Sequence, residues 1–541
     1  MICCLATLTG DADVVRRPNV LLITLDQFRA DCLSCAGHPV VRTPNLDRLA
    51  ADGVRFANHF SQAAPCSPGR AALYTGTYQM NNRVVSNGTP LDSRFDNLAL
   101  TARRAGYAPA LFGYTDQGID PRLATGPDDP RLNTYEGVLP GFDPILHLPT
   151  ELRPWLGWLR ELGYDLPDDP DAALATEPER PAEHGVSAFL TDHLITWIEQ
   201  QAATGEPWFA HASFLRPHPP YAAAGDWSKA YDPAEVSLPV PPADDRHPLH
   251  DHMLEHPFLI APDGEASIRA LRAQYYGMIS DVDHQMGRLR AALERLGQWD
   301  DTVVVVVADH GEQLGDQGLI EKAGFFEASY RVIALWRDPR RTGAHGTVVE
   351  RFTENVDVFP TLCDAIGVDV PAQCDGVPLT PFLDGDEPPW WRNAAFYEWD
   401  WRDVVLAFRQ FPWPWDRRPE TFHLAVRRSA DRAYVHFGDG GWRCFDLAAD
   451  PSWRTEIHDP AVVLGEAQAM LEWRMNHLDR TMTGLLLQDG GIGRFPPEHP
   501  AMRPRDPGRE GDRGWRLRPS VPPWRRCGQA RRPRSSSWSG R

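Results

Sequence analysis

Short, continuous apolar runs alternate along the chain with stretches in which apolar residues recur at helical spacing. The two clearest runs are Asn19–Leu25 (NVLLITL) and residues 302–308 (TVVVVVA), and residues 207–214 (PWFAHASF) form a weaker third run. A strand that is apolar at every position is typical of a sheet buried on both faces. We therefore predict interior β-strands at these three places.

Helical spacing is clearest in two segments. Residues 43–52 (TPNLDRLAAD) begin with a capping Thr and with a Pro that suits the first helical turn. Residues 268–296 carry apolar side chains at helical intervals over their whole length. Strands that alternate with helices imply an α/β fold in which helices cover both faces of a mostly parallel central sheet.

The pattern changes near residue 401. Residues 422–426, 432–437 and 442–445 resemble short strands separated by turn sequences, and a helical pattern follows near 466–478. We therefore predict four parts: an N-terminal tail (1–16), a catalytic α/β domain (17–400), a small C-terminal α+β subdomain with an antiparallel sheet (401–495) and an Arg/Pro-rich disordered tail (496–541).

Charge and cysteine content exclude some functional classes. The 541-residue chain has a formal net charge of -19, which argues against a nucleic-acid-binding body. Nine cysteines are too few for a disulfide scaffold in a chain of this length, so we expect a reducing, cytoplasmic location. No segment approaches the roughly 18 apolar residues of a membrane span, and we predict neither a signal peptide nor membrane association.

Acidic and imidazole side chains follow two of the predicted strands directly. Asp26 comes after Asn19–Leu25, and Asp309 and His310 come after residues 302–308. Parallel sheets place their chemistry just beyond the carboxyl ends of their strands. We therefore expect these three residues to share one site.

Residues 66–70 (CSPGR) match the pattern C-x-P-x-R, the recognition sequence for oxidation of Cys to formylglycine in sulfatases. The similarity continues upstream through residues 43–49 and downstream to residues 75–76, and in total it covers about residues 18–456. The chain thus resembles the formylglycine-dependent sulfatase family. That resemblance implies an alkaline-phosphatase-like sandwich and a metal-dependent ester hydrolase.

The resemblance also implies the chemistry of the site. A maturation enzyme would convert Cys66 to formylglycine (3-oxoalanine), whose hydrate carries two hydroxyls: one attacks the substrate, and the other lets the bound anion be expelled afterwards. Asp26, Cys66, Asp309 and His310 would bind one divalent metal ion. Because the set includes an imidazole, Mn²⁺ is the preferred ion, with Ca²⁺ or Zn²⁺ as alternatives.

Two segments, residues 82–92 and 106–116, resemble the phosphonate monoester hydrolase branch. Tyr114 stands where sulfatases usually carry Lys, and Asp116 stands where the phosphonate branch has Thr. An Asp there would repel an anionic substrate unless it is protonated or paired. Gln27, Asn87, Tyr114 and Asp116 are the predicted substrate-binding residues, although Gln27 could instead bind the metal and Tyr114 could be only a strand-end aromatic residue.

Three further residues receive catalytic roles from the resemblance. Arg70 would orient the nucleophile or neutralise charge. His218, held between two prolines, would protonate the leaving oxygen or bind substrate, and Lys322 would stabilise charge on the transferred group.

The predicted function is hydrolysis of phosphonate monoesters and phosphate diesters, accompanied by promiscuous hydrolysis of sulfate esters. The alternatives are an arylsulfatase and a catalytically silent binding protein that kept the fold. The expected partners are a small anionic ester, the formylglycine-generating maturation enzyme and a second copy of the chain in a homo-oligomer. We expect no nucleic-acid partner.

Overall fold

The computed structural model describes residues 17–402 and 418–479, together with the backbone of residues 485–488 and 491–494. The two predicted tails, 1–16 and 496–541, lie outside the described residues. The strands in chain order are β1 (Asn19–Leu25), β2 (Val54–Phe60), β3 (Ala63–Ala64), β4 (Ala110–Gly113), β5 (Asp143–His147), β6 (Phe209–Phe214), β7 (Thr302–Val307), β8 (Ala334–Arg337), β9 (Thr347–Glu354), β10 (Ala394–Asp400), β11 (His423–Ser429), β12 (Arg432–Phe437), β13 (Trp442–Asp446), β14 (Leu485–Gln488) and β15 (Gly491–Arg494).

Eight strands form the main sheet in the order β5-β4-β6-β1-β7-β8-β2-β9. The pairings β4–β5, β4–β6, β1–β6, β1–β7 and β2–β9 are parallel, whereas β8 is antiparallel to both of its neighbours. The prediction of a mostly parallel central sheet is therefore confirmed. All three strands predicted from apolar runs lie in it, next to one another at its centre.

Helices cover both faces of this sheet. Alternate residues of β1 enter two separate hydrophobic cores, with Leu21 and Ile23 in one and Val20 and Leu22 in the other, because successive side chains of a strand point to opposite faces. The helices are α1 (Pro44–Ala51), α2 (Cys66–Thr75), α3 (Gln79–Asn82), α4 (Leu98–Arg104), α5 (Arg153–Glu161), α6 (Pro170–Ala175), α7 (Val186–Thr204), α8 (Pro248–Leu254), α9 (Glu265–Arg295), α10 (Val358–Ile366), α11 (Thr380–Leu383) and α12 (Pro460–Asn476).

A second, five-stranded sheet has the order β13-β12-β11-β10-β3. Its pairings are antiparallel except the parallel pairing of β10 with β3. The predicted antiparallel sheet is thus present, and it also includes β10, which the sequence pattern had assigned to the catalytic domain. Because β3 ends two residues before Cys66, this sheet supports the segment that carries the predicted nucleophile.

The parallel order of the main sheet determines where the predicted site residues lie. The carboxyl ends of β1, β4, β6 and β7 meet at one edge, and Asp26, Tyr114 and Asp309 follow three of these strands. Among the described residues, no helix has the length and apolar character needed to cross a membrane.

Candidate active site

Four buried side chains meet at the carboxyl edge of the main sheet. One potential ligand atom from each of Asp26, Cys66, Asp309 and His310 lies within 4.8 Å of the other three. The Cys66 Sγ lies 3.3 Å from His310 Nε2, which is 3.7 Å from Asp26 Oδ1 and 3.8 Å from Asp309 Oδ2. These are the four residues predicted as metal ligands, and the fold brings them together from three separate parts of the chain.

Arg70 connects this cluster to its surroundings. Its Nε donates to Asp309 Oδ2 at 2.8 Å, and its Nη2 donates to Asp26 Oδ2 at 3.0 Å. Its Nη1 donates to Ser213 Oγ at 2.7 Å, and the guanidinium stacks on the Tyr114 ring. The side chain is fully buried, and its charge is offset by the two carboxylates.

The ligand atoms of the cluster that lack a hydrogen-bond partner suit a bound cation. The Asp26 Oδ1 is buried and has no hydrogen-bond partner, which is costly for a carboxylate oxygen. The Nδ1 of His310 lies 3.1 Å from the Gly311 carbonyl oxygen, so it carries the proton and donates it there. The Nε2 lone pair of His310 therefore points toward the carboxylates and Cys66. Two carboxylates, an imidazole and a sulfur or oxygen group form a plausible donor set for a transition-metal ion.

Cys66 is the first residue of helix α2, which begins directly after β3 and a proline. Burial raises the pKa of its thiol well above the usual value, and nearby carboxylates raise it further. The unmodified thiol is therefore a poor nucleophile. Gly69, in the variable position of the recognition pattern, packs so closely that a Cβ would lie 2.5 Å from the Asp309 backbone oxygen, which explains the need for glycine there.

His218 and Lys322 form a pair beside the cluster. The His218 Nδ1 lies 2.8 Å from the Pro219 carbonyl oxygen and donates to it, so its Nε2 accepts from Lys322 Nζ at 2.9 Å. Burial and the neighbouring ammonium group lower the pKa of His218. Although burial opposes a charge on Lys322, nearby negative groups, including Glu321, raise its pKa well above the usual value. The shared proton therefore resides on Lys322.

Gln27 is held by three partners. Its Nε2 donates to Glu312 Oε2 and to Glu321 Oε2, and its Oε1 accepts from Lys322 Nζ at 2.9 Å. Its backbone N–H donates to Asp309 Oδ1 at 3.2 Å. The sequence left two roles open for this side chain, metal ligation and substrate binding, and both stay predictions. In the structure its amide joins the acidic pair Glu312 and Glu321 to Lys322.

The three other predicted substrate-binding residues differ in exposure. Asn87 is half-buried, and its Oδ1 accepts from the backbone N–H of Ser67 at 2.9 Å. The Tyr114 hydroxyl donates to Asp26 Oδ2 at 2.6 Å. Asp116 is buried 3.5 Å from Arg70 Nε, and burial raises its pKa to about 8, so it is mostly protonated at neutral pH. Of the two conditions under which an Asp would be tolerated there, protonation is the one that this pKa favours at neutral pH.

Four residues of the site were not predicted. Glu312 and Glu321 bind Gln27, Ser213 binds Arg70, and the Gln117 amide donates to the Ser67 carbonyl oxygen at 2.9 Å. Glu312 had a visible signal, since it lies in the same strand-end segment as Asp309. The other three residues carried no such signal, because each contacts a partner at least 50 residues away in the sequence.

Comparison with known proteins agrees with this geometry. Residues 18–368 match the Sulfatase family model, and residues 315–481 match the model for the C-terminal part of N-sulphoglucosamine sulphohydrolase. The chain is 36% identical over 503 residues to the multifunctional alkaline phosphatase superfamily protein PehA of Trinickia caryophylli, covering 86% of this chain and 97% of that protein.

Two further relatives represent the two chemistries considered. The crystal structure of the phosphonate monoester hydrolase of Agrobacterium radiobacter superimposes with a TM-score of 0.82 and 42% identity, over 89% of this chain and all of that one (100%). A choline-sulfatase of Rhizobium meliloti (strain 1021) is 31% identical over 461 residues, which is 82% of each chain. The chain belongs to the sulfatase family and is a hydrolase of the sulfatase superfamily.

Proposed function

We propose that the protein hydrolyses phosphonate monoesters and phosphate diesters, with sulfate esters as secondary substrates. The observation that carries this proposal is the charge of the site. Arg70 offsets one of the two cluster carboxylates, Asp26 and Asp309, and Lys322 is offset by Glu321. A bound divalent ion would bring these groups to one net positive charge, and ionisation of the nucleophile would then make the site neutral, so the site would not repel a monoanionic ester.

The bound ion would supply Lewis-acid polarisation and would help to hold the nucleophile in its ionised form. Mn²⁺ is our preferred ion, because the donor set includes an imidazole. Cys66, after conversion to formylglycine by a maturation enzyme that reads residues 66–70, would provide the attacking oxygen. Its place at the first residue of α2 also directs the helix N-terminus at an incoming anion.

The other residues of the site position the substrate and offset its charge. The Lys322 ammonium group would donate a hydrogen bond to the transferred group, and His218 would hold Lys322 in place. Protonated Asp116 would donate to an unesterified oxygen without repelling it. A phosphodiester concentrates its charge on two such oxygens and a sulfate ester spreads it over three, so these donors favour phosphorus.

Sulfate ester hydrolysis is the second candidate. A sulfate monoester is also a monoanion at a tetrahedral centre, and the similarity to a choline-sulfatase favours it. We propose a reducing, cytoplasmic location, in keeping with the free state of the six cysteines in the described part of the chain. We also propose a homo-oligomer.

A rate comparison tests the proposal. An aryl sulfate, an aryl phosphonate and a bis-aryl phosphate are assayed with Mn²⁺-loaded protein in which mass spectrometry shows that Cys66 has been converted. We expect the two phosphorus esters to have the higher kcat/KM. A sulfate ester that is faster by orders of magnitude would overturn the assignment to phosphorus. A Cys66 peptide found wholly as thiol in active cells would favour a binding protein over an enzyme.

A further inference from the structure

A cavity of about 860 Å³, lined in part by Gly88 and residues 132–136, has no role in the chemistry described so far. Its wall includes Gly88, which follows Asn87 directly. Asn87 in turn accepts a hydrogen bond from the backbone N–H of Ser67, the neighbour of Cys66. One side of the cavity is therefore continuous with the N-terminus of the helix that carries Cys66.

Another part of the cavity wall is connected by hydrogen bonds to the predicted substrate-binding segment. Residues 134–136 line the cavity, and the segment that follows them is held by Thr115. The Thr115 hydroxyl donates to the Gly137 carbonyl oxygen at 2.7 Å and accepts from the Leu139 N–H at 2.9 Å. Thr115 lies between Tyr114 and Asp116, so the position of the cavity is fixed relative to the substrate-binding residues.

Tyr135 contributes an aromatic ring to the cavity wall. Its side chain lines the cavity and is partly buried. Burial raises the pKa of its hydroxyl, so the hydroxyl stays neutral. The ring offers an apolar face against which the organic part of a bound ester would pack.

Glu136 gives the cavity its charge. Its Oε1 accepts hydrogen bonds from the backbone and hydroxyl of Thr150, and within the part of the chain that the structure describes it forms no ion pair. The second acid of the wall, Glu151, is paired with Arg153 at 2.9 Å near the exposed rim. Glu136, which has no cationic partner among the described residues, therefore lines the same cavity as the aromatic ring of Tyr135, and a carboxylate and an aromatic face together attract organic cations.

We infer that this cavity binds the organic substituent of the ester and selects a substituent with a positive charge, such as a quaternary ammonium alcohol. The inference rests on the proposed function, because it names the class of ester that the same site would cleave. A cation held by Tyr135 and Glu136 would be tethered to an anionic phosphorus or sulfur centre. The whole substrate would then be a zwitterion.

Binding of two matched esters tests this inference. One is p-nitrophenyl phosphorylcholine, and the other is its isostere with an uncharged substituent, in which a tert-butyl group replaces the trimethylammonium group. Their affinities for the Cys66→Ala protein, which lacks the nucleophile, are measured by calorimetry in the presence of Mn²⁺. We expect the choline ester to bind about tenfold more tightly, because both a carboxylate and an aromatic face contact its cation.

Variants assign the preference to the cavity. In the Cys66→Ala background, Glu136→Gln should remove most of the preference for the choline ester, and Tyr135→Leu should remove part of it. The control Glu472→Gln neutralises an exposed acid on α12 and should leave the preference unchanged. Equal affinities in the starting protein, or a preference that survives Glu136→Gln, would overturn the inference. Turnover by converted wild-type protein is scored separately: tight, selective binding without cleavage of either ester refutes the proposed function and leaves the cation site standing.

Discussion

Replacement of Arg70 by Met should destabilise the protein in a way that depends on metal. The guanidinium is fully buried, and it is the cation that both Asp26 and Asp309 contact directly within hydrogen-bond distance. Removal of one partner of a buried ion pair costs about 3–5 kcal/mol, because the remaining charge is left uncompensated. We expect a loss of that size in metal-free protein.

A divalent cation should recover part of this loss. Metal at about 100 times its Kd stabilises a protein by about 2.7 kcal/mol, and tighter binding stabilises it more. The Arg70→Met site lacks a positive charge that repels the metal, so it should bind metal more tightly than the wild-type site. Each tenfold gain in affinity narrows the stability difference between the two proteins by about 1.4 kcal/mol.

Urea unfolding in EDTA and in saturating Mn²⁺ measures both effects. The matched control is Arg392→Met, because Arg392 is also largely buried and pairs with two carboxylates, Glu354 and Asp357, but contacts none of the cluster residues. The control should lose a similar free energy of unfolding in both solutions. Two results would refute the assignment of the cluster as a metal site. One is a loss of unfolding free energy in Arg70→Met that is equal with and without Mn²⁺. The other is a loss in Arg392→Met that Mn²⁺ reduces as much as it reduces the loss in Arg70→Met.

Four further outcomes follow from the geometry. Asp116 is mostly neutral below its pKa of about 8 and charged above it, so kcat/KM for a bis-aryl phosphate should fall as pH rises through about 8. Asp116→Asn should abolish that fall, and Asp116→Thr should raise phosphonate turnover above that pH, where the Asp116 carboxylate repels the substrate. Lys322→Met should lower kcat by about 10²–10³-fold, and a change confined to KM would contradict its role in the transition state. Glu321→Gln should lower the pKa of Lys322 and move the alkaline limb of the pH–rate profile to lower pH; an unmoved limb would show that another group controls it. Cys66→Ser should abolish turnover in steady-state assays, and sustained activity would exclude formylglycine chemistry.

The main sheet and the metal cluster could be predicted from sequence because both depend on local patterns. Strands β1 and β7 are apolar at nearly every position, and each is followed within two residues by a polar group at its carboxyl end. Parallel pairing then brings Asp26 and Asp309 together without further information. The pairing of the second sheet with the segment before Cys66 could not be predicted. Glu398 of β10 pairs with Ala63, and no local sequence pattern indicates a pairing between residues so far apart in the chain.

The orientation of the Gln27 amide also could not be predicted from the sequence. Its position after Asp26 left metal binding and substrate binding open, and the direction of the amide depends on which groups surround it. Glu312 and Glu321 accept from its nitrogen, so its oxygen must face the Lys322 ammonium group. Orientation of an amide is decided by its partners, and here those partners lie almost 300 residues away.

The same contacts explain how an acidic protein can bind an anion. The buried carboxylates of Asp26 and Asp309 would repel a substrate, but one of these charges is offset by Arg70 and a divalent ion would overcompensate the other. Asp116 adds no charge below about pH 8, because burial keeps it protonated. In the proposed function Lys322 would then determine where the anion binds, since it is partly exposed and lies beside both His218 and Gln27. Local pairing, rather than the net charge of the chain, sets the potential that an incoming ester meets, so the -19 of the whole sequence is compatible with an anionic substrate.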